Sequence, residues 1–265
     1  MIASLNIKKK IKSFNRIITI DGDKSLSIRW VLLASQATGK SKAYNLLMSE
    51  DVMAALDSIK SLGIKVKIHQ KYCEIYGNGI NGFKYKNNLV IDAKNSGTLG
   101  RLILGLLVKT PQKIKLIGDK SLSKRDFSRV TIPLQKFGVK FYYKSKNKLP
   151  LFILGSKHPK SINYLENKGS AQCKSSVMLA ALNASGSTLI KAKKSRNHSE
   201  LLFKYLKIPI KIKKTKKYDF IKIEQPKKIK SFTYQIPGDV SSSSFFIVLT
   251  TLSNNSKLLI KNVNI

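Results

Sequence analysis

The residues best suited to chemistry open with Asp21-Gly-Asp-Lys-Ser-Leu-Ser-Ile-Arg29, a polar, glycine-marked stretch between a β-branched run at 16–20 and an apolar run at 30–34. A strand that feeds a helix through such a turn points several free backbone N–H groups, with Lys24 and Arg29, at one spot, and that spot suits an anion. The same residues also fit a plain helix start, with Ser25 as N-cap and both cations solvated. Arginine usage favours the anion. The chain holds only six arginines, and all but Arg16 stand in or beside glycine- and serine-marked turns: Arg29, Arg101, Arg125, Arg129 and Arg196. In a chain that uses lysine wherever a charge suffices, arginine at those turns points to a planar, bidentate donor for phosphate or carboxylate.

Composition narrows the classes. With 265 residues and 42% hydrophobic content the chain can bury one or two cores. It has no run of eighteen apolar residues and no N-terminal stretch of signal-peptide length, so the expectation is a cytoplasmic protein with no membrane span. Cys73 and Cys173 are too few for a disulfide framework and read as apolar fillers. Together with the scattered His69, His158 and His198 they form no metal-ligand pattern, so no metal and no cofactor are expected. The net charge of +36 is almost all dispersed lysine, without a basic arm or an RNA-binding motif, so specific nucleic-acid binding is not expected. The charge attracts anionic substrates and raises their encounter rate.

The elements that must position these turns recur in order. The first unit reads as strand 16–20, helix 25–37, strand 42–46, a helix capped by Ser49 with Val52, Leu56, Ile59 and Leu62 on one face, and strands 64–68 and 72–76. Thr38-Gly39-Lys40-Ser41 ends like a P-loop, but its first glycine would fall at Ala34 inside a helix, so a nucleotide loop is rejected. A second unit runs from strand 89–92 through Asn95-Ser-Gly-Thr-Leu-Gly-Arg101 to helix 102–108, strand 113–117, helix 127–137 and strands near Val139 and Leu151. A third opens at Gly169-Ser-Ala-Gln-Cys-Lys-Ser175, with helix 176–183, strand 188–191, a turn at Ser195-Arg-Asn-His-Ser199, a helix to Leu206 and strands around Ile210 and Ile221. A fourth starts at Ile236-Pro-Gly-Asp-Val-Ser-Ser-Ser-Ser244, with helix 245–252 and strand 258–263. Units therefore begin near residues 23, 95, 169 and 238, each with a small-residue turn at a helix start, as stacked equivalent βαβαββ units do.

Six separated motifs, in order and spacing, carry a resemblance that covers the whole chain. They are Gly22-Asp-Lys-Ser-Leu-Ser-Ile-Arg29, Asn95-Ser-Gly-Thr98 with Arg101, Gly118-Asp-Lys-Ser-Leu-Ser-Lys-Arg125, Ser170-Ala-Gln-Cys-Lys-Ser175, Ser195-Arg-Asn-His198 and Pro237-Gly-Asp-Val-Ser-Ser242. Together they resemble the first three-fifths of the 5-enolpyruvylshikimate-3-phosphate synthase family. The sister family acting on UDP-N-acetylglucosamine shares the fold and does not usually carry the first and fourth of these motifs together.

The resemblance implies an inside-out α/β barrel of βαβαββ repeats: residues 1–20 as the first strand of an incomplete domain, 21–235 as a complete three-repeat domain, and 236–265 as the return into the incomplete one. It implies transfer of the enolpyruvyl group of phosphoenolpyruvate to the 5-hydroxyl of shikimate 3-phosphate through a tetrahedral intermediate, by a monomer. Lys24, Ser25, Arg29, Ser170, Ala171, Gln172 and Arg196 are the implied contacts to shikimate 3-phosphate. Lys24, Gly97, Arg125 and Gln172 are the implied contacts to phosphoenolpyruvate, and Lys24, Arg125 and Gln172 the implied catalytic residues. Asp21 stands where the family usually has proline, and Ala171 where some members have serine. The family's acidic proton acceptor and last substrate-binding lysine would lie beyond Ile265, which leaves a second expectation open, a phospho-ligand-binding fragment that is non-catalytic or dependent on a partner.

Overall fold

A computed structural model describes residues 11–263, so the reading of residues 1–10 as lacking a leader lies outside the described residues. The chain opens with β1 (Asn15–Thr19), α1 (Lys24–Gln36), β2 (Thr38–Tyr44), α2 (Glu50–Ser61), β3 (Lys65–Ile68) and β4 (Tyr72–Asn78). Next come β5 (Val90–Asp92), α3 (Gly97–Leu106) with a 3-10 turn at Leu107–Lys109, β6 (Ile114–Ile117), the short α4 (Lys120–Ser123), α5 (Ser128–Gln135), β7 (Lys140–Tyr143) and β8 (Leu151–Leu154). The remainder is β9 (Asn163–Glu166), α6 (Ala171–Ala181), β10 (Ser187–Lys193), α7 (His198–Tyr205), β11 (Ile210–Lys214), β12 (Tyr218–Glu224), β13 (Thr233–Gln235), α8 (Val240–Thr251) and β14 (Lys257–Lys261).

Three four-stranded sheets share one pattern, in the orders β13-β2-β4-β3, β5-β6-β8-β7 and β9-β10-β12-β11. In each, the first pair is parallel and the other two pairs are antiparallel. The repeat expected from the sequence is therefore present, with one correction. β1 does not open the first unit's sheet; it pairs in parallel with β14, Ile17 opposite Leu259, in a separate two-stranded ribbon. The vacant edge of the first sheet is filled by β13, where Thr233 stands opposite Lys42.

The helices lie inside and the sheets outside, as the resemblance implied. Every residue of α1 from Leu26 to Gln36 is buried, and α6 is buried from Cys173 to Ala181. A helix covered on all sides needs no amphipathic stripe, only small residues where neighbours press closest. α3 meets α6 at Gly105, where an added methyl would stand 2.2 Å from the Ser176 carbonyl oxygen. Each sheet turns one face inward, as the alternating burial along β10 shows, and its other face to solvent.

That outer face is where much of the lysine goes. Lys42 Nζ lies 4.1 Å from the Tyr72 ring centre, Lys113 Nζ 4.6 Å from Tyr142 and Lys191 Nζ 4.8 Å from Tyr218, one such pair on each sheet. Lysine stems thus cover rings that would otherwise face water, while the ammonium groups stay solvated. The exception to good cover is α8, where Phe245 is 79% and Leu252 80% exposed, with Phe246, Ile247 and Val248 exposed between them. No helix among the described residues is long and apolar enough to cross a membrane.

Gly105→Ala forces α3 and α6 apart, since the obstructing atom is backbone and cannot rotate away. The expected loss is about 1–3 kcal/mol of stability, read as a lower Tm in thermal melts, and an unchanged Tm would contradict the close helix contact.

Candidate anion site at the helix N-termini

The four repeat openings are four helix N-caps. Asp23, Ser96, Ser170 and Asp239 each accept a hydrogen bond from a backbone N–H in the first turn of α1, α3, α6 and α8, at Leu26, Leu99, Cys173 and Ser241. The caps differ in charge. Aspartate satisfies the N–H groups of α1 and α8 with an anion of its own, whereas the neutral serines leave the positive ends of α3 and α6 available to an outside anion.

These ends meet in one cavity of about 250 Å³, lined by Ser25, Arg29, Thr98, Ser170, Ala171, Gln172, Arg196 and His198. Six of the sequence-predicted residues are thereby brought together: Ser25, Arg29, Ser170, Ala171, Gln172 and Arg196. Gly97 and Arg125 stand next to it, in a linked cluster. A methyl on Gly97 would lie 2.7 Å from Arg101 Nη1 and 2.9 Å from Arg125 Nη1, so this glycine leaves room for two guanidinium groups at the start of α3. Lys24 does not line the cavity, its Nζ lying 3.3 Å from Asp51 Oδ2 with the side chain half exposed.

Gln172 is held from both sides. Arg101 Nη1 donates to Gln172 Oε1 at 3.0 Å, and Gln172 Nε2 donates to Thr98 Oγ1 at 2.9 Å, so one amide bridges the first turns of α3 and α6. Arg101 also donates to the Gly97 carbonyl at 3.1 Å. The sequence reading included Arg101 and Thr98 in a motif without giving them a role. The signal that could have found Arg101 was its place among the few arginines beside the turns.

Arg29 is buried and well spent. Its Nε donates to Ser199 Oγ at 2.9 Å, Nη2 to Ser175 Oγ at 3.0 Å and Nη1 to the Ser25 carbonyl at 2.9 Å. Burial pushes its pKa down to about 10, opposed by the nearby Glu200 and Asp23 carboxylates, so the guanidinium remains charged at neutral pH. With five N–H donors and three used, it keeps capacity for a ligand. Arg196 is more open, with Nη2 3.3 Å from Ser241 Oγ at the start of α8.

His198, the other residue given no role by the sequence, opens α7 on the cavity wall. Burial lowers its pKa below the ordinary histidine value, Arg29 and Arg196 add to this, and Asp23 and Asp239 oppose it. The wall is therefore two guanidinium groups and a neutral imidazole at pH 7, an arrangement for binding and orienting a multiply charged anion.

A folded-state pKa below the unfolded one means that the unfolded chain binds the proton better. The stability contributed by His198 is thus complete above about pH 6.5 and declines as the pH falls toward its folded pKa. In thermal melts between pH 8 and pH 5, His198→Gln is expected to flatten the first part of the acid-side fall in Tm relative to the parent chain. Parallel curves for the two would rule out the depressed imidazole.

Comparison with known proteins gives a consistent set. The family described as EPSP synthase (3-phosphoshikimate 1-carboxyvinyltransferase) matches residues 8–265. A curated 3-phosphoshikimate 1-carboxyvinyltransferase from Streptococcus mutans is 35% identical over 263 residues, covering 98% of this chain and 60% of that protein. The one from Petrotoga mobilis is 38% identical over 257 residues, covering 96% and 59%. Among solved structures, an EPSP synthase from Acinetobacter baumannii superposes with a TM-score of 0.86 at 29% identity, covering 96% of this chain and 57% of that one. The chain spans about 60% of the length of the curated relatives it matches.

Proposed function

The chain belongs to the EPSP synthase family, and on that premise we propose that its cavity binds shikimate 3-phosphate, with phosphoenolpyruvate on the Gly97 and Arg125 side. Together these make up much of a site for transfer of the enolpyruvyl group to the 5-hydroxyl of shikimate 3-phosphate with release of phosphate. The observation that carries the reading is the convergence of Ser25, Arg29, Ser170, Ala171, Gln172 and Arg196 around one space at the serine-capped end of α6.

In this reading Arg29 and Arg196 neutralise the phosphate, while Ser25 and Ser170 contribute hydroxyl groups. Gln172, fixed by Arg101 and Thr98, lies between the two substrates and orients the attacking hydroxyl against the enolpyruvyl carbon. Lys24, a substrate contact and catalytic residue here, exchanges Asp51 for phosphate when ligand is present, since that ion pair is exposed and weak. Arg125, beside Gly97, stabilises charge on the phosphate and carboxylate of phosphoenolpyruvate and on the leaving phosphate. The chemistry needs positioned donors and proton transfer.

The domain reading belongs with this proposal. Residues 21–235 form a three-repeat domain that holds the ligands, and residues 1–20 and 236–265 begin a second. The exposed Phe245 and Leu252 on α8 support the partner-dependent form of the function. Proton transfer is assigned to the remaining two-fifths of the relatives' length, whether on the same chain or a separate one. The monomeric state and cytoplasmic location expected above are kept as part of the proposal.

Calorimetric titration of the 265-residue chain with shikimate 3-phosphate is expected to show saturable binding, much tighter than with unphosphorylated shikimate. Arg196→Met is expected to weaken it about tenfold to a hundredfold, the worth of a charge-assisted hydrogen bond. A coupled assay for phosphate release on adding phosphoenolpyruvate is expected to stay at background. Equal affinity for shikimate and its 3-phosphate would remove the ligand assignment, and release at roughly 1 per second or faster would remove the assignment of proton transfer to the relatives' remaining length.

A further inference from the structure

Directly beneath the cavity lies a buried polar junction that substrate contact does not explain. Lys174, in the first half of α6, has a fully buried side chain, and its Nζ lies 2.5 Å from Oε1 of Glu200 on α7, itself 5% exposed. The next residues along each helix also meet: Ser199 Oγ donates to Ser175 Oγ at 2.7 Å. Arg29 of α1 donates to both serines. Three helices whose first turns line the cavity are thus clipped together by one ion pair, one hydroxyl pair and one guanidinium.

Charge accounting explains why a lysine is there. Glu200 acts on Arg29 strongly enough to oppose the effect of its burial. Standing alone beneath the cavity, that carboxylate would repel an incoming phosphate and draw the Arg29 charge toward itself. Lys174 cancels it. Among the described residues the ion pair is their only polar compensation, since Lys174 Nζ has no hydrogen-bond partner and Glu200 Oε2 is buried without one. A pair this deep is a poor source of stability compared with apolar residues of similar size, so its presence calls for another reason.

We propose that Lys174 is a positioning residue of the anion site: Ser175 and Ser199 hold the Arg29 fork in place, and Lys174 neutralises the nearby Glu200 so that the Arg29 charge is left for the ligand. The inference rests on the proposed ligand reading only for the identity of the anion. It predicts a split in sign that a structural clip does not. Lys174→Met leaves an uncompensated carboxylate under the cavity and weakens anion binding. Glu200→Gln leaves an additional cation there, keeps a hydrogen-bonding side chain of the same shape, and does not weaken it. The double variant restores a neutral pair.

The experiment titrates the full chain and the variants Lys174→Met, Glu200→Gln, Lys174→Met/Glu200→Gln and Lys174→Arg with shikimate 3-phosphate and, separately, with inorganic phosphate, at two salt concentrations and alongside thermal melts. Lys174→Met is expected to lose on the order of tenfold in affinity, more at low salt, as one unit charge acting through a partly buried path does. Glu200→Gln is expected to bind as well as the parent or better despite a lower Tm, and the double variant and Lys174→Arg to return within about threefold of the parent on the same scale. Should Lys174→Met fail to fold, Glu200→Gln and the double variant still decide. Weakening in both that tracks the loss of Tm makes the pair a structural clip only and overturns the proposal. The phosphate arm separates the two ideas: a sign split with phosphate but no preference for shikimate 3-phosphate sinks the ligand reading and leaves the role of the pair standing.

Discussion

The structure depends on placing its helices inside its sheets. α1, α3 and α6 touch one another and are covered in turn by strands, so their polar groups can reach water only at their ends. Unpaired N–H groups at helix starts are obligatory, and stacking equivalent units gathers several such starts at one end of the bundle. The cavity is the result. Where the cap is an aspartate the need is met by a built-in negative charge; where it is a serine, as on α3 and α6, the cap is neutral and the end keeps its positive character. Arg29, Arg101 and Arg196 add planar donors at this end, and the helical surface behind it is mostly apolar, with a few buried polar side chains such as Lys174 and Ser175.

The motifs that mark this end were legible because capping and close approach are local. Asp23, Ser96, Ser170 and Asp239 each stand within three residues of the N–H group they satisfy, so the sequence displays the turns, though not which residue caps: Asp23, not the expected Ser25, caps α1, because Ser25 already lies inside the helix. Longer-range events are not legible from local pattern, and only the family resemblance groups residues 1–20 with 236–265. β1 looked like the opening strand of the first sheet, yet its partner lies some 240 residues on, and β13 takes the place beside β2. β9 and β13 were missed because Asn163–Glu166 and Thr233–Gln235 are too short to show a period.

Two further differences have a common cause. The sequence starts helices at 102 and 176, whereas α3 begins at Gly97 and α6 at Ala171. Glycine, threonine, glutamine and a lysine in those first turns read as loop because such residues avoid helix interiors or seek solvent. Here they are retained for what they leave open or hold: Gly97 for two guanidinium groups, Gln172 for the bridge between helices, Lys174 for the buried carboxylate. Likewise Thr38-Gly39-Lys40-Ser41 belongs to β2, and α1 ends before it at Gln36. The fold departs from sequence expectation most where the site is being built, as expected where local preference yields to chemistry.

The ribbon of β1 and β14 has a consequence for the order in which the chain folds. The Phe14 backbone N–H donates to Ser256 Oγ across a separation of 242 residues, so this ribbon ties off a loop containing nearly the whole chain. Closing so long a loop from an unfolded coil costs about 5 kcal/mol of entropy, more than five residue pairs of an exposed ribbon return. The loop is shortened beforehand by the body of the protein, which sets Gly22 beside Gly238 and lets the Asp239 N–H reach the Asp21 carbonyl at 3.0 Å. On this ground the ribbon is expected to pair after the body of the protein has formed. β1 and β14 thus form a seam across the base of the three repeats.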